Sequence, residues 1–214
     1  MISGHYKGFA LQRRMTFVTT NDNGGLNWRQ THWVNSHAMS AVQLKADTGP
    51  GSGDNASFVL RSVMMGAWMT STDLGGIGPN PCGPTGEKPC VLHSETFKLH
   101  LRLYREKQRP ILRGGDVYHI FPQPDGIQPE GMQFFNRELN KGSVIVLKPS
   151  ANVPSGADEV VVALKGLQRD ANYTLSFQDR TGLNDVASGA YLMDVGLNVS
   201  GMVGNEASEI VWLN

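Results

Sequence analysis

FKLHLRLYREKQRPILRGGDVYHI, residues 97–120, decides how the chain is read, because two kinds of pattern meet inside it. Up to Arg109 the pattern is helical. Phe97, Leu101 and Tyr104 recur at three- and four-residue spacing with Leu99 and Leu103 beside them, and Lys98, Arg102, Arg105 and Glu106 form a charged face. Ser94 stands where a helix cap belongs. Pro110 has no amide hydrogen and crowds the preceding turn, so it is expected to end the helix. From Asp116 to Ile120 the residues read as a strand.

Working upstream, short strand-like runs alternate with helical patterns. Met15–Thr20 and Thr31–Asn35 read as strands, each running into a polar end (Asn21-Asp22-Asn23-Gly24-Gly25 and Ser36-His37). A helix is expected over about Asn55–Met65, capped by Asp54 or Asn55, followed by a strand at Ala67–Ser71 that ends at Asp73. Strand, helix, strand, helix is the grammar of a parallel sheet. Three strands and two helices cannot bury both faces of such a sheet. This half reads as a piece of something larger, or as a layer leaning on the second half.

Working downstream, the helical pattern disappears. Strands are expected at Met132–Phe135, Ser143–Lys148, Glu159–Leu164, Tyr173–Asp179, Ala190–Val195 and Glu209–Leu213, separated by turn signals such as Pro124-Asp125-Gly126 and Lys141-Gly142. Spacing of roughly 8 to 15 residues between short strands predicts an antiparallel β-sandwich.

Composition narrows the functional classes. Nineteen basic residues balance nineteen acidic ones, so there is no electrostatic footprint for nucleic acid or an anionic membrane. No apolar run reaches the roughly 18 residues that a membrane span needs. The first fifteen residues carry Lys7, Arg13 and Arg14 without an apolar stretch, so no signal peptide is expected. Only 18% of the residues are charged, with Gly, Asn, Ser and Thr in their place, a surface common in secreted and sugar-handling proteins. Cys82 and Cys90, the only two cysteines, lie in a Pro/Gly-rich stretch. They read either as a disulfide-closed loop, which favours a secreted or periplasmic location, or as two unpaired thiols in a surface insert. The histidines are scattered without metal-site spacing, so neither metal nor cofactor is expected.

Three stretches resemble the α-galactosidase (melibiase) family of retaining glycoside hydrolases. LRSVMMGAWMTSTDL (60–74) is similar to the family's segment of an Arg-bearing helix and a Met/Gly-rich run into the last barrel strand. Tyr104, Arg109-Pro110-Ile111 and Gly115-Asp116-Val117-Tyr118 stand in the places of its "YK…RPLI..GDLYRL" junction. LKGLQRDANYTL (164–175) looks like a hairpin of its C-terminal sandwich. The resemblance implies residues 1–114 as the last strands and helices of a (β/α)₈ TIM-barrel catalytic domain, and 115–214 as an all-β antiparallel sandwich. It also implies that several hundred upstream residues of barrel belong with this chain as a partner segment.

In such barrels the catalytic groups sit at the C-terminal ends of the strands. Retaining glycosidases use two carboxyl groups about 5 Å apart, one nucleophile and one acid/base. TFVTTNDNGG (16–25) is similar to the family's "W-T-S-D-N-T-D" acid/base context, with Gly24-Gly25 replacing a polar pair, and WVNSHAMSAV (33–42) is similar to its next strand. The resemblance therefore makes Asp22 the candidate acid/base. Asp22-Asn23-Gly24-Gly25 is equally the composition of a plain turn. No "K-x-D" nucleophile motif is present, so the chain alone is expected to be inactive. Trp28 and Trp33 are candidate stacking surfaces for a sugar ring, His37 a candidate hydrogen-bond partner and Asp73 a rim contact. Each also has a structural reading, as core packing or loop capping, and Trp68 reads best as core. Arg29 and Arg61 can pair with buried carboxylates or touch sugar. The expected function is cleavage of a terminal α-linked galactose or related α-glycoside. The alternative is a non-catalytic carbohydrate-binding or structural module.

Overall fold

The computed structural model describes residues 18–22, 26–37, 44–47, 56–69, 95–149, 160–180, 184–202 and 205–214. The chain forms two compact units that divide between Arg109 and Pro110.

In the first unit, β1 (Val18–Asp22), α1 (Leu26–Asn35), β2 (Leu44–Asp47), α2 (Ala56–Val63), β3 (Ala67–Met69) and α3 (Glu95–Leu103) follow one another. The three strands form one sheet in the order β1-β2-β3, and both pairings are parallel. A parallel pair needs a crossover, and α1 and α2 supply it. Thr31–Asn35 is therefore not a strand but the second half of α1. Its β-forming residues Thr31, Trp33 and Val34 suggest the wrong element. Burial of Trp28, His32 and Asn35 at four- and three-residue spacing is the helical period that wins. The strand beside β1 is instead Leu44–Asp47, beyond the WVNSHAMSAV stretch. The proposed caps Asp54, Asn55 and Ser94, the start of the Met15–Thr20 strand, Asp73, and Cys82 and Cys90 lie outside the described residues.

Pro110 does not end the helix. After α3 the backbone passes through a π-helical turn, Tyr104–Gln108, and continues as α4 (Arg109–Leu112). The Arg109 amide reaches back five residues to the Tyr104 carbonyl. A widened turn just before a proline relieves the crowding its ring would cause on a tight α-turn.

The second unit is antiparallel throughout its described strands. A six-stranded sheet runs in the order β4-β5-β6-β11-β8-β9, made of β4 (Asp116–Tyr118), β5 (Glu130–Asn136), β6 (Lys141–Lys148), β8 (Asn172–Phe177), β9 (Asn184–Ser188) and β11 (Ala207–Leu213). A ribbon of β7 (Val161–Val162) and β10 (Leu197–Asn198) forms a second, small sheet. Phe135, Val144, Val146 and Val211 from the large sheet share one core with Val162 and Leu197 of the ribbon. Ile145 and Leu147, on the other face of β6, are also fully buried. A strand buried on both faces reads as an unbroken apolar run, which is why Val144–Leu147 shows no alternation. β8 keeps the half-buried pattern, with Tyr173 and Leu175 buried between exposed Asn172 and Thr174. The Pro124-Asp125-Gly126 turn is closed by the Asp125 carboxylate, which accepts from the Ile127 and Gln128 amides and is held below the usual carboxylate range by them.

Two expectations fail in this unit. Ala190–Val195 is not a strand but lies in and just after α5 (Gly189–Asp194). The Ser188 side chain caps it by accepting from the Tyr191 amide, and Gly196 (φ 114°) follows its last turn. Leu192 is its one deeply buried apolar side chain, a helical rather than an alternating pattern. Leu164–Leu175 is not a hairpin, since β7 pairs with β10 and β8 with β9 and β11. The segment instead carries the chain from one sheet to the other. The short polar strands β9 and β10 had no distinctive pattern in the sequence.

Candidate functional site

The parallel sheet brings one candidate residue to the place where barrel and open α/β enzymes do chemistry. Asp22 is the last residue of β1, at the C-terminal end of the sheet. Its register partner on the neighbouring strand is Asp47, the last residue of β2, and Asp47 in turn pairs with Met69 at the end of β3. Neighbouring strands lie about 4.8 Å apart, so two acidic residues share one register position at this edge. Asp47 was not singled out from the sequence. Its signal was legible, because LKAD runs straight into Thr48-Gly49-Pro50, the same strand-then-turn grammar that marks Asp22.

The other candidates are not gathered around Asp22. Trp28 is fully buried and stacks face to face on His32, with ring centroids 4.6 Å apart and planes 9° from parallel. In this arrangement its ring face is occupied by protein. Trp33 and His37 sit at the far end of α1, in edge-to-face contact, with His37 Nδ1 2.9 Å from the Trp33 carbonyl. A helix of this length rises about 1.5 Å per residue, and α1 starts just after Asp22, so its C-terminal turn lies well over 10 Å further along. The strand assignment of Thr31–Asn35 had put His37 at a sheet edge, and the helix moves it away. Trp68 packs edge-on against Phe97 and Tyr104, and its backbone amide donates to the Tyr104 hydroxyl (3.1 Å), which makes it part of the helix-facing core.

The two arginines are both interior. Arg29 is 5% exposed and lies over the Phe58 ring, 5.1 Å from its centroid. Arg61 is 1% exposed, and its Nε donates to His100 Nε2. Among the described residues no group of three or more His, Cys, Asp or Glu is placed to hold a metal ion, and no helix is long and apolar enough to cross a membrane.

Trp28 offers a direct test of its packing role. Trp28→Ala should destabilise the first unit by about 3–5 kcal/mol through the cavity it leaves. Chemical denaturation followed by amide exchange in α1 and α2 reads this. A cost below about 1 kcal/mol would return Trp28 to the list of surface groups.

The large antiparallel sheet carries the family signal. Residues 132–213 match the glycosyl hydrolase family 36 C-terminal domain. Among solved structures the chain is similar to the family 36 α-galactosidase AgaA of Geobacillus stearothermophilus (TM-score 0.71, 18% identity) and to the galactosidase domain of the α-galactosidase-sucrose kinase AgaSK (TM-score 0.70, 16% identity). It is also similar to an α-galactosidase of Lactobacillus brevis (TM-score 0.69, 13% identity). These matches cover 94%, 93% and 92% of this chain, and 26% of each of the other chains. The chain thus spans about a quarter of the length of the structures it matches. AgaA variants have been solved with raffinose and with stachyose bound. No curated protein matches the chain. Residues 132–213 thus match the family 36 C-terminal domain, and the chain shares its fold with a quarter of the length of family 36 α-galactosidases.

Proposed function

We propose that the chain supplies the last strands and helices of a (β/α)₈ barrel, residues 1–114, and the β-sandwich that follows it, residues 115–214, to a retaining α-galactosidase-like hydrolase. The observation that carries this reading is Asp22 at the C-terminal end of a parallel sheet, in a chain whose second unit matches a family 36 domain. Asp22 acts as acid/base. As the acid it gives its proton to the glycosidic oxygen while a second carboxylate, from the upstream barrel segment, attacks the anomeric carbon. The leaving sugar departs with that proton, and a covalent glycosyl–enzyme remains. The Asp22 carboxylate then takes a proton from water, the water oxygen attacks the same carbon, and the sugar is released with retained configuration. The substrate is a terminal α-linked galactoside or a closely related α-glycoside. Without the nucleophile strand the chain alone is inactive.

The non-catalytic reading, a structural or carbohydrate-binding module, draws on the burial of Trp28 and the distance of Trp33 and His37 from the sheet end. Both observations remove expected substrate contacts.

Hydrolysis of p-nitrophenyl α-galactoside separates the two. The chain alone should be silent, and the chain continuous with a complete family 36 barrel upstream should be active. Asp22→Asn in the active form should cost about 10²–10⁴-fold in kcat. Full activity after Asp22→Asn would remove Asp22 from the mechanism. A gain on Asn21→Asp in that variant would move the role one residue upstream. If neither form hydrolyses the substrate, the module reading stands.

A further inference from the structure

Asn198-Val199-Ser200 fits the acceptor pattern for an N-linked sugar, and nothing in the proposed hydrolytic site uses it. Alternation along β10 puts Leu197 in the core and Asn198 on the outside. Val199 is fully buried, and its amide donates to the Val160 carbonyl (2.8 Å). Ser200 is held twice, its Oγ accepting from the Val160 amide (2.8 Å) and its carbonyl from Arg180. Asn198 is thus an exposed side chain on a fixed backbone.

The two ends of its amide differ. Asn198 Oδ1 accepts from the Ser200 amide (2.8 Å), which turns the side chain over its own sequon. Among the described residues nothing bonds Asn198 Nδ2, the atom that a sugar joins. The register partner of Asn198 on β7 is Val161, and register partners share one face of a sheet. Val161 is 47% exposed, whereas the next pair, Leu197 with Val162, is buried. Val161 Cγ1 lies against Gly196, the chain neighbour of exposed Val195. An apolar strip therefore adjoins the free amide, and the C–H face of a pyranose ring laid on it removes apolar area from water.

We propose that Asn198 is an N-glycan acceptor, with the first sugar of the glycan lying over Val161. The co-substrate is a polyprenyl-diphosphate oligosaccharide. Nδ2 bonds to C1 of its first sugar, the C1–O bond to the diphosphate breaks with its electron pair, and the proton leaves Nδ2 for a base of the transferring enzyme. Such transfer accompanies export, the location that the disulfide reading of Cys82 and Cys90 favours. Asn172-Tyr173-Thr174 supplies a comparison within the same chain. Asn172 is exposed too, but the Thr174 amide donates to the Asn214 carbonyl (2.8 Å) and is closed to the Asn172 side chain. That sequon is locked in β8, between β9 and β11.

The test needs no hydrolytic activity, so its outcome is separate from that of the proposed reaction. It uses the protein from the organism that makes it. Trypsin finds no lysine or arginine after Arg180, so residues 181–214 leave as one peptide with a single sequon, and Asn172 leaves on residues 170–180. A glycan-releasing amidase in ¹⁸O-water turns a glycosylated asparagine into an ¹⁸O-labelled aspartate, which mass spectrometry locates. The expected result is label at Asn198 and none at Asn172, with complete loss of the glycosylated 181–214 peptide in Asn198→Gln. Ser200→Thr keeps the sequon and should keep the glycan. An unmodified 181–214 peptide, label at Asn172 alone, label that forms equally without the amidase, or a glycan that survives Asn198→Gln would overturn the assignment.

Discussion

Glu209→Ala should destabilise the second unit by about 3–5 kcal/mol, the cost of stripping a buried charge-assisted network of its centre. Glu209 lies in β11 opposite Val146, with its side chain 2% exposed. Its Oε1 accepts from three backbone amides, Gln178 (3.0 Å), Asp179 (3.1 Å) and Ile210 (2.9 Å), and its Oε2 accepts from Arg180 Nε (3.2 Å). Arg180 also bonds to the Ser200 carbonyl and lies over the Phe177 ring, 4.4 Å from its centroid. One carboxylate thus ties the end of β8 to β11 and to the segment after β10. Alanine removes this acceptor from the Asp179 and Ile210 amides, while the Gln178 amide keeps the Ile210 carbonyl and Arg180 keeps the Ser200 carbonyl, and a buried donor that loses its acceptor carries a desolvation penalty. Glu209→Gln should cost less, because its oxygen still serves the amides while its NH₂ faces Arg180. Against a typical domain stability of 5–15 kcal/mol, the alanine variant stands close to unfolding. Urea midpoints with exchange protection of β8 and β11 give the answer. A loss under about 1 kcal/mol would show that water replaces the carboxylate without difficulty.

Gly166→Ala should cost about 2–4 kcal/mol, and most of the loss should trace to one tyrosine. Gly166 has φ 69°, a left-handed conformation that carries a penalty for any residue with a Cβ. A Cβ there would also overlap the hydroxyl end of Tyr118. Neither side is free to yield. The Tyr118 hydroxyl donates to Asp116 (3.1 Å) and accepts from Arg137 (3.0 Å), and Arg137 also bonds to Asp116. On the other side, the Gln133 side chain bonds both to the Lys165 amide (2.8 Å) and to its carbonyl (2.7 Å). Tyr118→Ala in the Gly166→Ala background should recover the overlap part and leave the backbone part. The double variant should therefore be more stable than the sum of the single losses predicts. Strict additivity would mean that Tyr118 moves aside at little cost, and would remove the steric argument.

The Tyr118–Gly166 contact joins two stretches that the sequence marked separately, GDVY at the junction and LKGL further on. Each was legible as a pattern, and the second lies within residues 132–213, which match the family 36 C-terminal domain. That they touch was not legible, because Tyr118 and Gly166 are 48 positions apart in the chain and no local periodicity encodes a contact across that length. The same limit explains the site. Asp22 could be placed at a strand end from its neighbours, but its register partner Asp47 follows from pairing between strands.

Local patterning was enough for the two helices and the flanking strand nearest Pro110, most of the antiparallel strands after it, and the family resemblance, because each rests on periodicities and turn residues within a few positions of one another. Three-dimensional packing settled the rest. It made Thr31–Asn35 and most of Ala190–Val195 helical, carried the helix through Pro110, buried Trp28, and assembled Arg61 with His100 and Glu209 with three backbone amides. A β-branched or aromatic run suits either element in isolation, and the choice falls to whichever buries its apolar face and pairs its backbone against residues distant in the chain.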